Sequence, residues 1–198
     1  MIDLGRLDAR ALATTWAAAA PFPHLVLDDV VAEADLEALR AAVAIEPHHL
    51  ERSELVDARG SAPTPWHPTL AALAAALATP ATLAAVGAIS GRAVTRVEAR
   101  SYLYLPGHYL LPHTDSGLGL GRQVAFTLYL GPHAEVTGGE LELFRCTLVR
   151  GELTAAAPAV RIPYQSGRLV LFEVSDRSLH QVREVTAGHR RSVAGWFS

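Results

Sequence analysis

From Thr95 to the C-terminus the chain breaks into short runs rich in β-branched and aromatic residues, separated by Gly- and Pro-bearing turns. The runs are Thr95–Leu105, Tyr109–His113, Arg122–Leu130, Glu140–Phe144, Val160–Ile162, Arg168–Glu173, Gln181–Val185 and Ser192–Phe197. Short strands in series, punctuated by turn signals such as PG, GP, TGG and SG, fold as an antiparallel sandwich or barrel. The first ninety residues differ in character. Residues 7–20, 34–45, 69–79 and 82–89 are Ala- and Leu-rich with helical spacing, and His24–Asp28 reads as one more strand. The chain is therefore expected to be mainly β with supporting α-helices, the helices covering one face of the larger sheet. Its 198 residues suffice for one domain, with residues 1–91 as helical support and residues 92–198 carrying the β core. Residues 46–67 are polar and Pro-bearing without a clear period, which predicts a lid or binding loop, with disorder the alternative.

Composition removes several classes of function. All 17 basic residues are Arg, so lysine Schiff-base chemistry and a P-loop lysine are excluded. The net charge of −3 gives no electrostatic reason to expect a nucleic-acid or anionic-membrane partner. A lone Cys146 forbids an internal disulfide and any CxxC motif, which predicts a reducing, cytoplasmic setting. The N-terminus shows no basic segment followed by an apolar one, and hence no signal peptide is expected. The apolar stretch Leu70–Ala88 is interrupted by Pro80 and is expected to form two helices rather than a membrane span.

In PHTDS, His113 and Asp115 end a strand-like run. Residues i and i+2 of a strand share a face, so imidazole and carboxylate project together. Alone, the pair also fits a surface turn in which Asp115 caps the Gly-rich SGLGLG. A second histidine, His180 in SLHQVREV, and Arg190 in GHRRSVAGWF change the balance. Two histidines and one carboxylate make the facial triad that leaves open positions on Fe(II). A nearby Arg supplies a planar fork for a distant carboxylate.

With these residues in place, the stretch Arg100–Phe197 resembles the iron(II)- and 2-oxoglutarate-dependent dioxygenases, in particular their prolyl 4-hydroxylase-like branch. Four segments carry the resemblance in order: YLPGHYLLPHTDS, RQVAFTLYL, TGGELELF with SGRLVLF, and HQVREVTAGHRRSVAGWF. The N-terminal PFPHLVLDDVV resembles the leading strand of small hydroxylases of the same group. The resemblance implies a double-stranded β-helix (jelly-roll) core. It implies that His113, Asp115 and His180 bind Fe(II), and that Arg190 pairs with the C5 carboxylate of 2-oxoglutarate. Tyr129 matches the tyrosine that donates to the same carboxylate. Tyr104 matches one near the C1 carboxylate, with Tyr102 on the same face able to substitute. Ser192, beside Arg190, adds a hydroxyl. Arg191 points to the opposite face, and the spacings to Gly188 and Trp196 favour Arg190. The implied reaction hydroxylates an unactivated C–H bond of a peptidyl or free amino acid, proline favoured, consuming O₂ and releasing succinate and CO₂. Ascorbate is the implied auxiliary reductant. Because Asp115 is a carboxylate, a halogenating variant is not expected.

Two other classes stay open at this point: a cupin-like divalent-metal protein without 2-oxoglutarate, and a catalytically silent binding module on the same fold. The partner is expected to be a small molecule or peptide, with neither nucleic acid nor membrane, and the oligomeric state is left open. His48 and His49 are expected to be solvent-exposed, Trp66 a core or groove aromatic, and Arg122 a surface ion pair or a substrate contact. Glu140 and Glu142 are expected on a solvated sheet face.

Overall fold

The computed structural model describes residues 2, 4–117 and 121–198; the middle of the expected Gly-rich turn, 118–120, lies outside the described residues. Four helices form where the Ala-rich spacing places them: α1 (Ala9–Ala18), α2 (Glu33–Ile45), α3 (Pro68–Leu77) and α4 (Pro80–Ser90). Asp8 caps α1 by accepting from the Ala11 N–H at 3.1 Å. Pro68 and Pro80 open α3 and α4, and Gly91 closes α4 at φ 68°. No single helix is long and apolar enough to cross a membrane. The α3–α4 pair bends by 52° and turns Leu70, Leu73, Leu77, Val86 and Ile89 into the core.

The strands are β1 (His24–Leu27), β2 (His48–Arg52), β3 (Val56–Ser61), β4 (Val97–Tyr104), β5 (Tyr109–His113) and β6 (Val124–Tyr129). Next come β7 (Thr137–Gly138), β8 (Leu141–Val149), β9 (Glu152–Ile162) and β10 (Leu169–Glu173). The last three are β11 (His180–Val182), β12 (Val185–Ala187) and β13 (Arg190–Phe197). Every pairing is antiparallel, in the order β1-β10-β6-β13-β4-β3-β5-β11-β8-β9, with β2 on β3 and β12 on β7. This curled sheet is the double-stranded β-helix.

Strand alternation divides it cleanly into two faces. Val124, Phe126 and Leu128 of β6, Leu169 and Leu171 of β10, and Val193 and Phe197 of β13 pack against the helices. Their neighbours Ala125, Tyr129, Val170 and Phe172 face inward onto Leu141, Leu143 and Ile162 of β8 and β9. Each fully buried Leu or Phe contributes about 1.5–3 kcal/mol, so both faces of β6, β10 and β13 are pinned and their register is fixed. The inward face of these central strands is where the site lies.

Three expectations need correction. Residues 46–67 contain a hairpin, β2–β3, rather than a loop, with His48 opposite Ser61 and Arg52 opposite Asp57. Its base is fastened by the buried Glu46, whose carboxylate accepts from the backbone N–H groups of Trp66 (2.7 Å) and His67 (2.8 Å). The short runs at Glu140 and Val160 are the inner ends of a long hairpin, β8–β9, whose outer part is exposed. Finally, Gln181–Val185 is not one strand: β11 ends at Val182 and β12 starts at Val185.

Candidate active site

β5 and β11 pair so that His113 and His180 are direct partners. Their rings lie 4.3 Å apart. Asp115, two residues beyond His113, brings Oδ1 to 3.6 Å from His113 Nε2 and Oδ2 to 3.7 Å from His180 Nε2. One ligand atom from each residue lies within 4.8 Å of the others, and this is the one such cluster of three or more among the described residues. The second nitrogen of each ring settles its tautomer. His113 Nδ1 donates to the Leu111 carbonyl (2.8 Å) and His180 Nδ1 to the Ser178 carbonyl (2.9 Å). Both Nε2 lone pairs are left free to bind a metal.

Charge agrees with that role. Burial foremost, and then His113, push His180 down to about 4 against the pull of Asp115, so the imidazole is neutral at pH 7. Burial alone would raise Asp115, but the neighbouring His113 and His180 imidazoles and the Trp196 indole hold its carboxyl down to about 2. Two imidazoles and a carboxylate are the donor set that suits a divalent first-row metal.

The other half of the site comes from β13, β4 and β6. β13 pairs with β4 so that Arg190 faces Tyr104 and Ser192 faces Tyr102, and with β6 so that Ser192 faces Tyr129. Arg190 is only 2% exposed. Its Nε donates to the Gly139 carbonyl (2.8 Å) and Nη1 to Ser192 Oγ (3.2 Å). Its guanidinium lies over Tyr104 and Tyr129 at 4.9 Å each and Tyr164 at 5.9 Å. Among the described residues no carboxylate pairs with it. The Tyr129 hydroxyl beside it is buried without a hydrogen-bond partner. An unpaired guanidinium and an orphaned phenol together fit a carboxylate arriving from outside, as the C5 end of 2-oxoglutarate would. Arg191 emerges on the other face, 3.5 Å from His189 Nδ1.

Tyr104 is fully enclosed opposite Arg190, and burial raises its phenol; it and Tyr102 both line the cavity.

Gly139 explains the TGG turn. Its φ is +72°, and a Cβ there would come within 2.8 Å of Arg190 Cδ. Gly139→Ala is expected to displace the guanidinium and raise the 2-oxoglutarate requirement about tenfold or more, with about 1–2 kcal/mol of backbone strain. A 2-oxoglutarate titration and a denaturant curve check the two effects separately.

A cavity of about 270 Å³ joins the halves. His113, Asp115 and His180 line one part and Arg190 and Ser192 another, with Phe172, Leu141 and Val182 as apolar wall. Two further residues of this cavity bear on the site. The Trp196 indole N–H donates to Asp115 Oδ2 at 2.8 Å, holding one carboxylate oxygen. Arg122 lies over the Trp196 ring at 3.4 Å rather than in a surface ion pair. Trp196→Phe keeps the ring and deletes the donor; metal affinity is expected to fall about 10- to 100-fold, measured by Co(II) titration.

Other expectations are revised. His48 is half-buried, with Nε2 3.0 Å from Ser101 Oγ. Trp66 is 69% exposed. Glu142 is buried, its carboxylate held by Arg161 (3.0 Å) and Gln181.

The comparisons agree with this geometry. Residues 99–198 match the model of the 2OG-Fe(II) oxygenase superfamily. A PKHD-type hydroxylase from Parvibaculum lavamentivorans is 34% identical over 87 residues, covering 43% of this chain and 34% of that protein. The chain thus spans about a third of that relative's length. Among solved structures, a Pseudomonas putida prolyl-4-hydroxylase shares 21% identity at a TM-score of 0.70, covering 96% of this chain and 97% of that one. A Trichoplax adhaerens prolyl hydroxylase, in complex with a hypoxia-inducible-factor oxygen degradation domain peptide fragment, shares 16% at 0.72, covering 98% and 90%. The chain belongs to the 2OG-Fe(II) oxygenase superfamily.

Proposed function

We propose that this protein is an Fe(II)- and 2-oxoglutarate-dependent hydroxylase of an amino-acid substrate, free or peptidyl, with proline favoured. The observation that carries the reading is the His113–Asp115–His180 cluster sharing one cavity with a buried Arg190 that has no carboxylate partner among the described residues. The names of the three similar proteins given above, each a hydroxylase, support it.

In this reading His113 Nε2, His180 Nε2 and the Asp115 carboxylate hold the metal, and Trp196 keeps Asp115 oriented. Arg190, stationed by Gly139 and Ser192, receives the C5 carboxylate together with the Tyr129 phenol. Burial raises that phenol's pKa against the opposing charge of Arg190, so it stays protonated and donates. When bound, iron and 2-oxoglutarate supply the oxidising chemistry: O₂ is consumed, the co-substrate becomes succinate and CO₂, and one oxygen atom ends on a substrate carbon. The chain's share is to bind and orient both, and its apolar wall of Phe172, Leu141 and Val182 excludes water. A cytoplasmic location belongs to the same proposal, supported by the single unpaired Cys146.

The test needs no substrate. Anaerobic addition of Fe(II) and then 2-oxoglutarate to metal-free protein should produce the weak visible charge-transfer band of the chelate. A protein that binds the metal but gives no band is a metal-binding jelly roll of another kind.

A further inference from the structure

We propose that Arg122 anchors the substrate and that the group it takes is a carboxylate, so that the molecule oxidised is an acid with a free carboxylate rather than an internal residue of a polypeptide. The inference rests on the reading of the site as an Fe(II)/2-oxoglutarate centre.

Arg122 lines the cavity beside the triad. Its guanidinium is laid over Trp196 at 3.4 Å, and Trp196 in turn donates to Asp115. Stacking occupies one face of the guanidinium and leaves its in-plane N–H fork to other partners. Among the described residues no hydrogen bond from that fork and no carboxylate paired with it is found, and Nε is buried without a partner. A buried charge-bearing donor without an acceptor is costly, and a bound acceptor relieves that cost.

Charge identifies the acceptor. The metal dication and the co-substrate dianion cancel, as do Asp115 and Arg190. Glu51, the other carboxylate lining the cavity, is already paired with Arg100. Arg122 is the cation left over, next to a low-dielectric wall of Phe172 and Ala125. A neutral amide carbonyl would satisfy the hydrogen bond and leave the charge; a carboxylate satisfies both.

The experiment uses paired probes on the anaerobic Fe(II)/2-oxoglutarate complex: N-acetyl derivatives of the amino acids, each as the free acid and as the primary amide. The readout is perturbation of the chelate band. At least one acid is expected to shift it, its amide requiring about tenfold higher concentration. In Arg122→Gln, where formation of the band shows that the site has assembled, that preference should vanish. Acetylated tripeptides with a free C-terminus then tell whether the carboxylate comes from a small acid or a chain end. Equal response to acids and amides, a preference that survives in Arg122→Gln, or no response to any acid overturns the proposal. Failure of the band itself overturns instead the reading beneath it, and this proposal with it.

Discussion

Arg190→Ala is expected to raise the 2-oxoglutarate requirement by about two orders of magnitude or more, because truncating one member of a buried charge pair costs about 2–5 kcal/mol. Four residues depend on that guanidinium. Ser192 Oγ accepts from it, the Gly139 carbonyl takes its Nε–H, and Tyr104 and Tyr129 stack on it. Fe(II) binding, measured without co-substrate, should change little, since the triad sits on β5, β11 and the segment after β5. Arg190→Lys should recover only part of the loss, because a point charge cannot reproduce the fork. A defect in Arg191→Ala with a normal Arg190→Ala would reverse the assignment.

Asp115→Ala should lower turnover by about three decades or more, equivalent to roughly 4 kcal/mol of barrier. It removes the only carboxylate in the cluster and leaves two imidazoles to face a dication. It also strips the Trp196 indole of its acceptor. Asp115→Asn separates these losses, since the amide oxygen can still accept from Trp196 while the charge is gone. Both variants should lose turnover, and Asn should keep the tighter residual Co(II) binding. Equal turnover by wild type and either variant would sink the metal-site assignment.

Strands buried on both faces announce themselves as near-continuous apolar runs, which is why β6 and β10 were legible within two residues of their ends. The hairpin β2–β3 was not. HHLER and VDARGS place polar side chains on both faces, and the strands are held by backbone pairing to β4 and β5. Likewise TAAAPA of β9 has the composition of a helix, yet it is extended because β8 pairs with it residue by residue. In the site, His113, Asp115, His180 and Arg190 stood out by residue type and order. Trp196 entered only as a spacing mark for Arg190, and Arg122 stayed open between a surface ion pair and a substrate contact, because a Trp aimed at a carboxylate and an Arg laid over that Trp are tertiary facts. Strand parity was a further signal for Trp196, which shares the face of Arg190 and Ser192. Glu142 was misread for a related reason. Alternation with Leu141 and Leu143 suggested a wet face, whereas Arg161, Gln181 and Arg183 cover it.

The two-sidedness of β13 sets where this chain can tolerate a change of length. One extra residue inside 190–197 would rotate every later side chain to the wrong side, withdrawing Trp196 from Asp115 and Phe197 from Phe126 in the same stroke. Catalytic loss and unfolding would arrive together, and no compensating point substitution could separate them. The outer half of β8–β9 is the opposite case. Residues 152–159 are exposed throughout, and their turn at Arg150 and Gly151 lies away from the cavity lining. Grafts, tags and loop exchanges therefore belong on that arm.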